Sequence, residues 1–125
     1  MDENALAREV IGATIEVHRA LGPGLLESVY RRCLVHELRA RGLECEVEVP
    51  LAVSYKGLVI EQAYRADVLV GHRLLLELKS VDRLEAVHAA QLLTYLRLMR
   101  RRLGLLLNFN VPVMRDGIRR VVNGL

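Results

Sequence analysis

Tyr64-Arg65-Ala66-Asp67-Val68-Leu69-Val70-Gly71-His72-Arg73-Leu74-Leu75-Leu76-Glu77-Leu78-Lys79-Ser80 is the stretch on which the fold turns. Two apolar runs, Ala66 to Val70 and Leu74 to Leu78, flank a short Gly-containing turn, which is the pattern of a β-hairpin. Side chains alternate along a strand, so Glu77 and Lys79 share one face while Leu74, Leu76 and Leu78 take the other. The turn length decides where Asp67 goes. A two-residue turn at Gly71-His72 pairs Asp67 with Leu76 and sends Glu77 to the opposite face. A three-residue turn from Gly71 to Arg73 pairs Asp67 with Glu77. We expect the three-residue turn, with Gly71 or His72 near αL, because it leaves the leucine face wholly apolar.

Two carboxylates directly opposite one another repel. At ~4 Å and an effective dielectric of ~20 the repulsion is on the order of 4 kcal/mol. Lys79 supplies one positive charge and leaves the cluster net negative, so a hard divalent cation is the natural remaining partner. The alternative is a salt-bridged strand pair in which Lys79 neutralises Glu77 and no metal is needed. Of the chain's 18 basic residues only Lys56 and Lys79 are lysines. A Lys in a sequence that otherwise uses Arg favours a compact, movable ammonium at that position.

Asp67 followed by Glu77-Leu78-Lys79 resembles the signature of the PD-(D/E)xK nuclease superfamily, with Ala66 where the motif often has Pro. From about Ile11 to the C-terminus the chain resembles the small bacterial GxxExxY proteins placed in that superfamily. Gly24-Leu25-Leu26-Glu27-Ser28-Val29-Tyr30 is the string behind that family's name. The resemblance implies a restriction-endonuclease-like α/β fold, a mixed sheet flanked by helices, here with an extra N-terminal helix. It implies Mg²⁺ or Mn²⁺ held by Asp67, Glu77 and the backbone carbonyl of Leu78, with Glu27 assisting, and Lys79 completing the catalytic set. Gln91-Leu92-Leu93-Thr94-Tyr95 matches the QxxxY motif of the helicase-linked exonuclease branch, where Gln and Tyr contact substrate or support the site.

The chain has 125 residues and a mass of 14.1 kDa, so residues 1–125 are expected to form one domain with a genuine core. Hydrophobic residues make up 52%, yet no run approaches the ~18 apolar residues of a membrane span. The acidic start, Met1 to Asn4, is not followed by an apolar signal region, so a cytoplasmic protein is expected. Cys33 and Cys45 form no CxxC pair and read as buried free thiols of a reducing compartment. A net charge of +3 and a pI near 9.2 permit nucleic-acid binding. An aromatic content of 4% without Trp speaks against recognition by base stacking.

Asn4 to Leu21 reads as an amphipathic helix with Asn4 as N-cap and His18 near its end. Gly22-Pro23-Gly24 stops it. A second helix is expected from Leu25 to about Arg41. Its Glu27 sits in the first turn, where a carboxylate also suits the helix dipole, and Tyr30 is expected to pack in the core with its hydroxyl tethered. Leu43 to Val49 alternates as a strand with Glu44, Glu46 and Glu48 on a solvated face, and Pro50 favours an edge or a bulge there. Lys56-Gly57 turns into the strand that carries Arg65, which shares the Asp67 face and holds either that carboxylate or a phosphate. A helix from Leu84 to about Arg100 aligns His88, Gln91 and Tyr95 on one face, with His88 expected either to support the site beside them or to be a satisfied interface histidine. Leu103 to Phe109 reads as a strand buried on both faces and parallel to its predecessor, and Ile118 to Val122 as a last strand.

The expected activity is metal-dependent phosphodiester hydrolysis, with DNA as the expected nucleic-acid partner and no membrane partner. A homodimer is allowed for. The rival is a catalytically inactive nucleic-acid-binding or protein-partner module on the same fold, which has little use for a repulsive carboxylate pair.

Overall fold

The computed structural model describes residues 1–125. In chain order the elements are α1 (Glu3–Leu21), α2 (Glu27–Ala40), β1 (Cys45–Tyr55), β2 (Leu58–Val70), β3 (Leu74–Lys79), α3 (Ala86–Met99), β4 (Leu103–Asn108), a 3₁₀ turn (Met114–Gly117) and β5 (Ile118–Val122). The five strands form one sheet in the order β1-β2-β3-β4-β5. Only β3 and β4 run parallel, joined by the α3 crossover, and the other pairs are antiparallel. The α/β class, the mixed sheet and the N-terminal helix are as expected.

The hairpin has the three-residue turn. Val70, Leu69 and Val68 pair with Leu74, Leu75 and Leu76, and both Gly71 and His72 take positive φ, +57° and +60°. That register divides the leucines between two layers. Leu74, Leu76 and Leu78 pack beneath α1 and α2, with Val10, Tyr30 and Leu34 among their neighbours. Leu75 packs with Leu92, Tyr95 and Leu96 of α3 on the other side. The β4 strand is buried at every residue. Its Gly104 admits the close approach of α3, since a Cβ there would stand 3.0 Å from a Leu92 methyl.

Several local expectations are corrected. Asp2 caps α1, its side chain accepting from the Ala5 amide at 2.8 Å. Asn4 lies inside the first turn and accepts from Arg120 instead. The carboxylates of Glu44, Glu46 and Glu48 are exposed, as expected, and also partnered. His72 lies 2.8 Å from Glu44 and 3.0 Å from Glu46, and Glu48 pairs with Arg31 and Arg65. Cys33 and Cys45 are free thiols, half-buried rather than buried. β1 is an edge strand and accommodates Pro50 opposite Arg65. No helix is long and apolar enough to cross a membrane.

Candidate active site

The β2–β3 ladder runs from Val70↔Leu74 to Val68↔Leu76, and the next step of that register sets Asp67 against Glu77. There the strands exchange backbone-to-carboxylate hydrogen bonds. The Asp67 amide donates to Glu77 Oε1 at 3.0 Å, and the Leu78 amide donates to Asp67 Oδ2 at 2.8 Å. Each strand thus satisfies a main-chain donor with the other strand's side chain, which fixes two mutually repelling groups side by side.

Glu77 is only 5% exposed, while Asp67 is half-buried. Burial, and then the charge of Asp67, push the Glu77 carboxyl up to about 8, against the opposing pull of the Asp67 amide and of Lys79. Near neutral pH the protein alone therefore keeps a proton on the pair. Lys79 is half-buried and makes no ion pair within 4.0 Å with any carboxylate. The salt-bridged alternative required Lys79 to be bound to Glu77, and that bond is missing.

Glu27 is the first residue of α2. Its carboxyl is raised by partial burial and by the charge of Asp67, and lowered by Lys79 and Arg31, so it lies within the field of the site. The loop before it is held from two sides. Tyr30 donates its hydroxyl hydrogen to the Gly22 carbonyl at 2.5 Å and accepts from the Leu25 amide at 3.1 Å. Its ring stacks on Phe109 at 4.4 Å. Ser80, directly after Lys79, donates to the Leu25 carbonyl at 2.7 Å. Tyr30 has the packing and the tethered hydroxyl expected of it.

Of the three α3 residues, Tyr95 lies within the field of Glu77 and Asp67. Tyr95 is buried against Tyr64, ring centroids 5.6 Å apart, and burial followed by the charge of Glu77 raises its hydroxyl pKa. Gln91 is half-buried one turn earlier. His88 takes part in the helix cap, its Nδ1 accepting from the Glu85 amide at 2.9 Å. Of the two partners expected for Arg65, the Asp67 carboxylate is not one: Arg65 pairs with Glu48 at 3.9 Å and donates to Gln62 at 3.5 Å. His18 is structural, its Nε2 2.8 Å from the Val111 carbonyl oxygen.

Two supporting residues escaped the sequence reading. Asn108 is 2% exposed. Its Oδ1 accepts from the Val81 amide at 3.1 Å and its Nδ2 donates to the Val81 carbonyl at 2.9 Å, clamping the segment after Lys79. The available signal was an Asn closing an otherwise apolar strand. Ser80 gave none, because its partner lies 55 residues away.

No group of three His, Cys, Asp or Glu side chains converges closely enough to form a ready metal cage. The donor chemistry still fits a hard divalent cation: oxygen ligands only, with a buried carboxyl that the protein alone keeps protonated. None of the grooves is lined by Asp67 or Glu77. The largest, about 620 Å³, lies between α1 and α2.

No curated protein matches this sequence. In fold the chain is similar to the crystal structure of SSO0001, with a TM-score of 0.58 and 22% identity over 97% of this chain and 60% of that one. The chain therefore spans 60% of that protein's length, and the likeness concerns fold alone. The sequence profile of the PD-(D/E)XK nuclease superfamily matches residues 4–121. With the Asp67–Glu77 pair, the free Lys79 and the three-helix, five-strand restriction-endonuclease-like fold, that match settles membership: the chain belongs to the PD-(D/E)XK nuclease superfamily.

Proposed function

We propose that residues 1–125 form a catalytic domain that hydrolyses phosphodiester bonds in DNA with Mg²⁺ or Mn²⁺, and that it is of the GxxExxY type within its superfamily. The observation that carries this reading is the cross-bonded Asp67–Glu77 pair with an unpaired Lys79 on the same strand as Glu77. A structural ion cluster neutralises its charges internally, whereas this one retains a proton and leaves its cation unpaired.

Asp67, Glu77 and the Leu78 carbonyl would hold the metal, with Glu27 acting through water. A bound divalent cation lowers the pKa of an attacking water and neutralises charge at the phosphorus. The amides of Asp67 and Leu78 keep the carboxylates fixed, so little reorganisation is needed when substrate arrives. Lys79 donates hydrogen bonds toward the attacking water or a phosphoryl oxygen, and having no carboxylate partner it breaks no ion pair to do so. Tyr95 and Gln91 support the site from α3. Tyr30 and Ser80 hold the loop that presents Glu27.

Calorimetric titration with Mn²⁺ and a plasmid-nicking assay test the proposal together. Wild type should bind the metal and nick DNA. Metal at 100 times its dissociation constant should stabilise the fold by ~2.7 kcal/mol. Asp67→Asn and Glu77→Gln should lose both metal response and cleavage. Lys79→Met should retain metal binding but lose about 10²- to 10³-fold in rate, as for removal of one preorganised donor. A wild-type protein indifferent to metal and without nicking activity would sink the reading. Metal binding without cleavage would turn it into the inactive binding module.

A further inference from the structure

Glu48 stands where the β1–β2 ladder is interrupted. Val47 pairs with Val68 and Val49 with Ala66, so Glu48 occupies the position across from Asp67. Its φ is +50°, a left-handed value inside a strand and uncommon for a residue with a long side chain. Its carboxylate lies between two guanidinium groups. Arg31 Nη2 is 3.2 Å from one oxygen and Arg65 Nη1 is 3.9 Å from the other. Arg31 follows Glu27 by one turn of α2, and Arg65 precedes Asp67 by two residues on β2.

The cluster opens into a groove of about 340 Å³ between α2 and β1, whose lining includes Arg31, Arg32, His36 and Arg39. Glu48 is the only acidic residue in that lining. Arg32 makes no ion pair at all. A chain with a net charge of only +3 thus gathers three arginines along one groove that starts beside the candidate catalytic carboxylates.

We propose that this groove is a phosphate-binding track for the nucleic-acid backbone, and that Glu48 holds the place of a phosphodiester between Arg31 and Arg65. A carboxylate and a phosphodiester both present two oxygens to paired guanidinium donors. The backbone kink at Glu48 carries the placeholder, and Gln62, also at positive φ (+52°), accepts from Arg65 on the other side. When a phosphate enters, Arg31 and Arg65 exchange partners, and Arg32 and Arg39 extend the binding surface away from the scissile bond. The inference rests on the nuclease reading only for the identity of the ligand.

The test is fluorescence anisotropy of a labelled duplex oligonucleotide of about 20 base pairs, in EDTA so that no cleavage occurs, across a salt series. Each arginine–phosphate pair that a variant removes should lower the salt slope by about 0.9. Arg31→Gln with Arg65→Gln should lower it by about 2 and weaken binding at least about tenfold. Arg32→Gln, which breaks no ion pair and so keeps the fold, should lower it by about 1. Glu48→Gln should tighten binding several-fold. Unchanged slopes in the arginine variants would overturn the track, and a Glu48→Gln protein that binds no more tightly would overturn the placeholder. If Asp67→Asn still cleaves DNA while the arginine variants lose their slope, the nuclease site is misassigned and the track stands. If Asp67→Asn abolishes cleavage and the arginine variants bind as wild type, the track alone falls.

Discussion

Two carboxylate clusters occupy neighbouring positions of one sheet and solve the same problem in opposite ways. Glu48, half exposed on β1, lies between two guanidinium groups and is charge-compensated. Glu77, 5% exposed on β3, faces a second carboxylate and has no cation within ion-pair distance. The difference is not residue type, since each is a Glu on a strand. It is what the surroundings offer: solvent and arginines at the edge strand, apolar layers and backbone amides two strands further in. The compensated cluster has little to gain from a cation, whereas under the proposed function the other is the one that a divalent cation would relieve. Burial, more than charge count, therefore marks the chemically reactive pair.

The largest effect that can break this comparison is pH dependence in the metal-free protein. The Glu77 carboxyl is raised from 4.5 to about 8 in the fold, so between those values the folded chain holds a proton that the unfolded chain has released. Stability contributed by that proton is complete below about pH 4.5 and lost as pH rises through about 8. About 1.4 kcal/mol per pH unit is at stake within that window. Denaturant melts in EDTA from pH 5 to 8 should show wild type weakening relative to Glu77→Gln, whose amide keeps the shape of the protonated acid. Parallel pH curves for the two proteins would show that Glu77 is ionised and compensated, as Glu48 is.

A smaller effect concerns the loop that carries Glu27 to the uncompensated cluster. Tyr30→Phe keeps the stack on Phe109 and deletes both hydroxyl bonds, to Gly22 and Leu25. A loss of about 1–2 kcal/mol is expected by chemical denaturation. Because the loop would loosen, amide exchange at Leu25 and Leu26 should accelerate more than exchange in β3. Uniform acceleration would mean that the tyrosine only stabilises the core.

Much of this was legible in the sequence because the deciding features are local. The parity of Leu74, Leu76 and Leu78 against Glu77, with a turn of fixed length, sets the register and hence the Asp67–Glu77 meeting. The alternation of Leu43 to Val49 and the apolar run after Leu103 mark an edge strand and an interior strand of the sheet. What was not legible depends on chain segments far apart. The Ser80–Leu25 bond, the Asn108 clamp on Val81 and the Arg31–Glu48–Arg65 cluster all join different elements. Even spacing made Glu44, Glu46 and Glu48 look equivalent. Tertiary partners then separated them, the first two toward His72 and the third toward two arginines. His88 shows the converse, a local feature that helix-face spacing does not reveal: a bond from the Glu85 amide takes its Nδ1.

The smallest expected effect lies at the compensated cluster and separates its backbone from its charge. Exposed ion pairs contribute at most about 1 kcal/mol, and a left-handed backbone costs a side-chain-bearing residue roughly 1–2 kcal/mol that glycine does not incur. At Glu48 these oppose each other: the side chain gains from Arg31 while its backbone sits at φ +50°. Glu48→Gly loses the ion pairs and relieves the strain, so its stability should stay within about 1 kcal/mol of wild type. Glu48→Val loses the pairs and adds β-branching at the same φ, so it should be the least stable of the three. Melting curves of the three proteins decide the matter. A Glu48→Val protein as stable as Glu48→Gly would mean that the strand readily straightens and the kink is not imposed by the fold. A marked loss in both would mean that the ion pairs, rather than the backbone, dominate at this edge, which would make the two clusters more alike in their energetic weight than their burial implies.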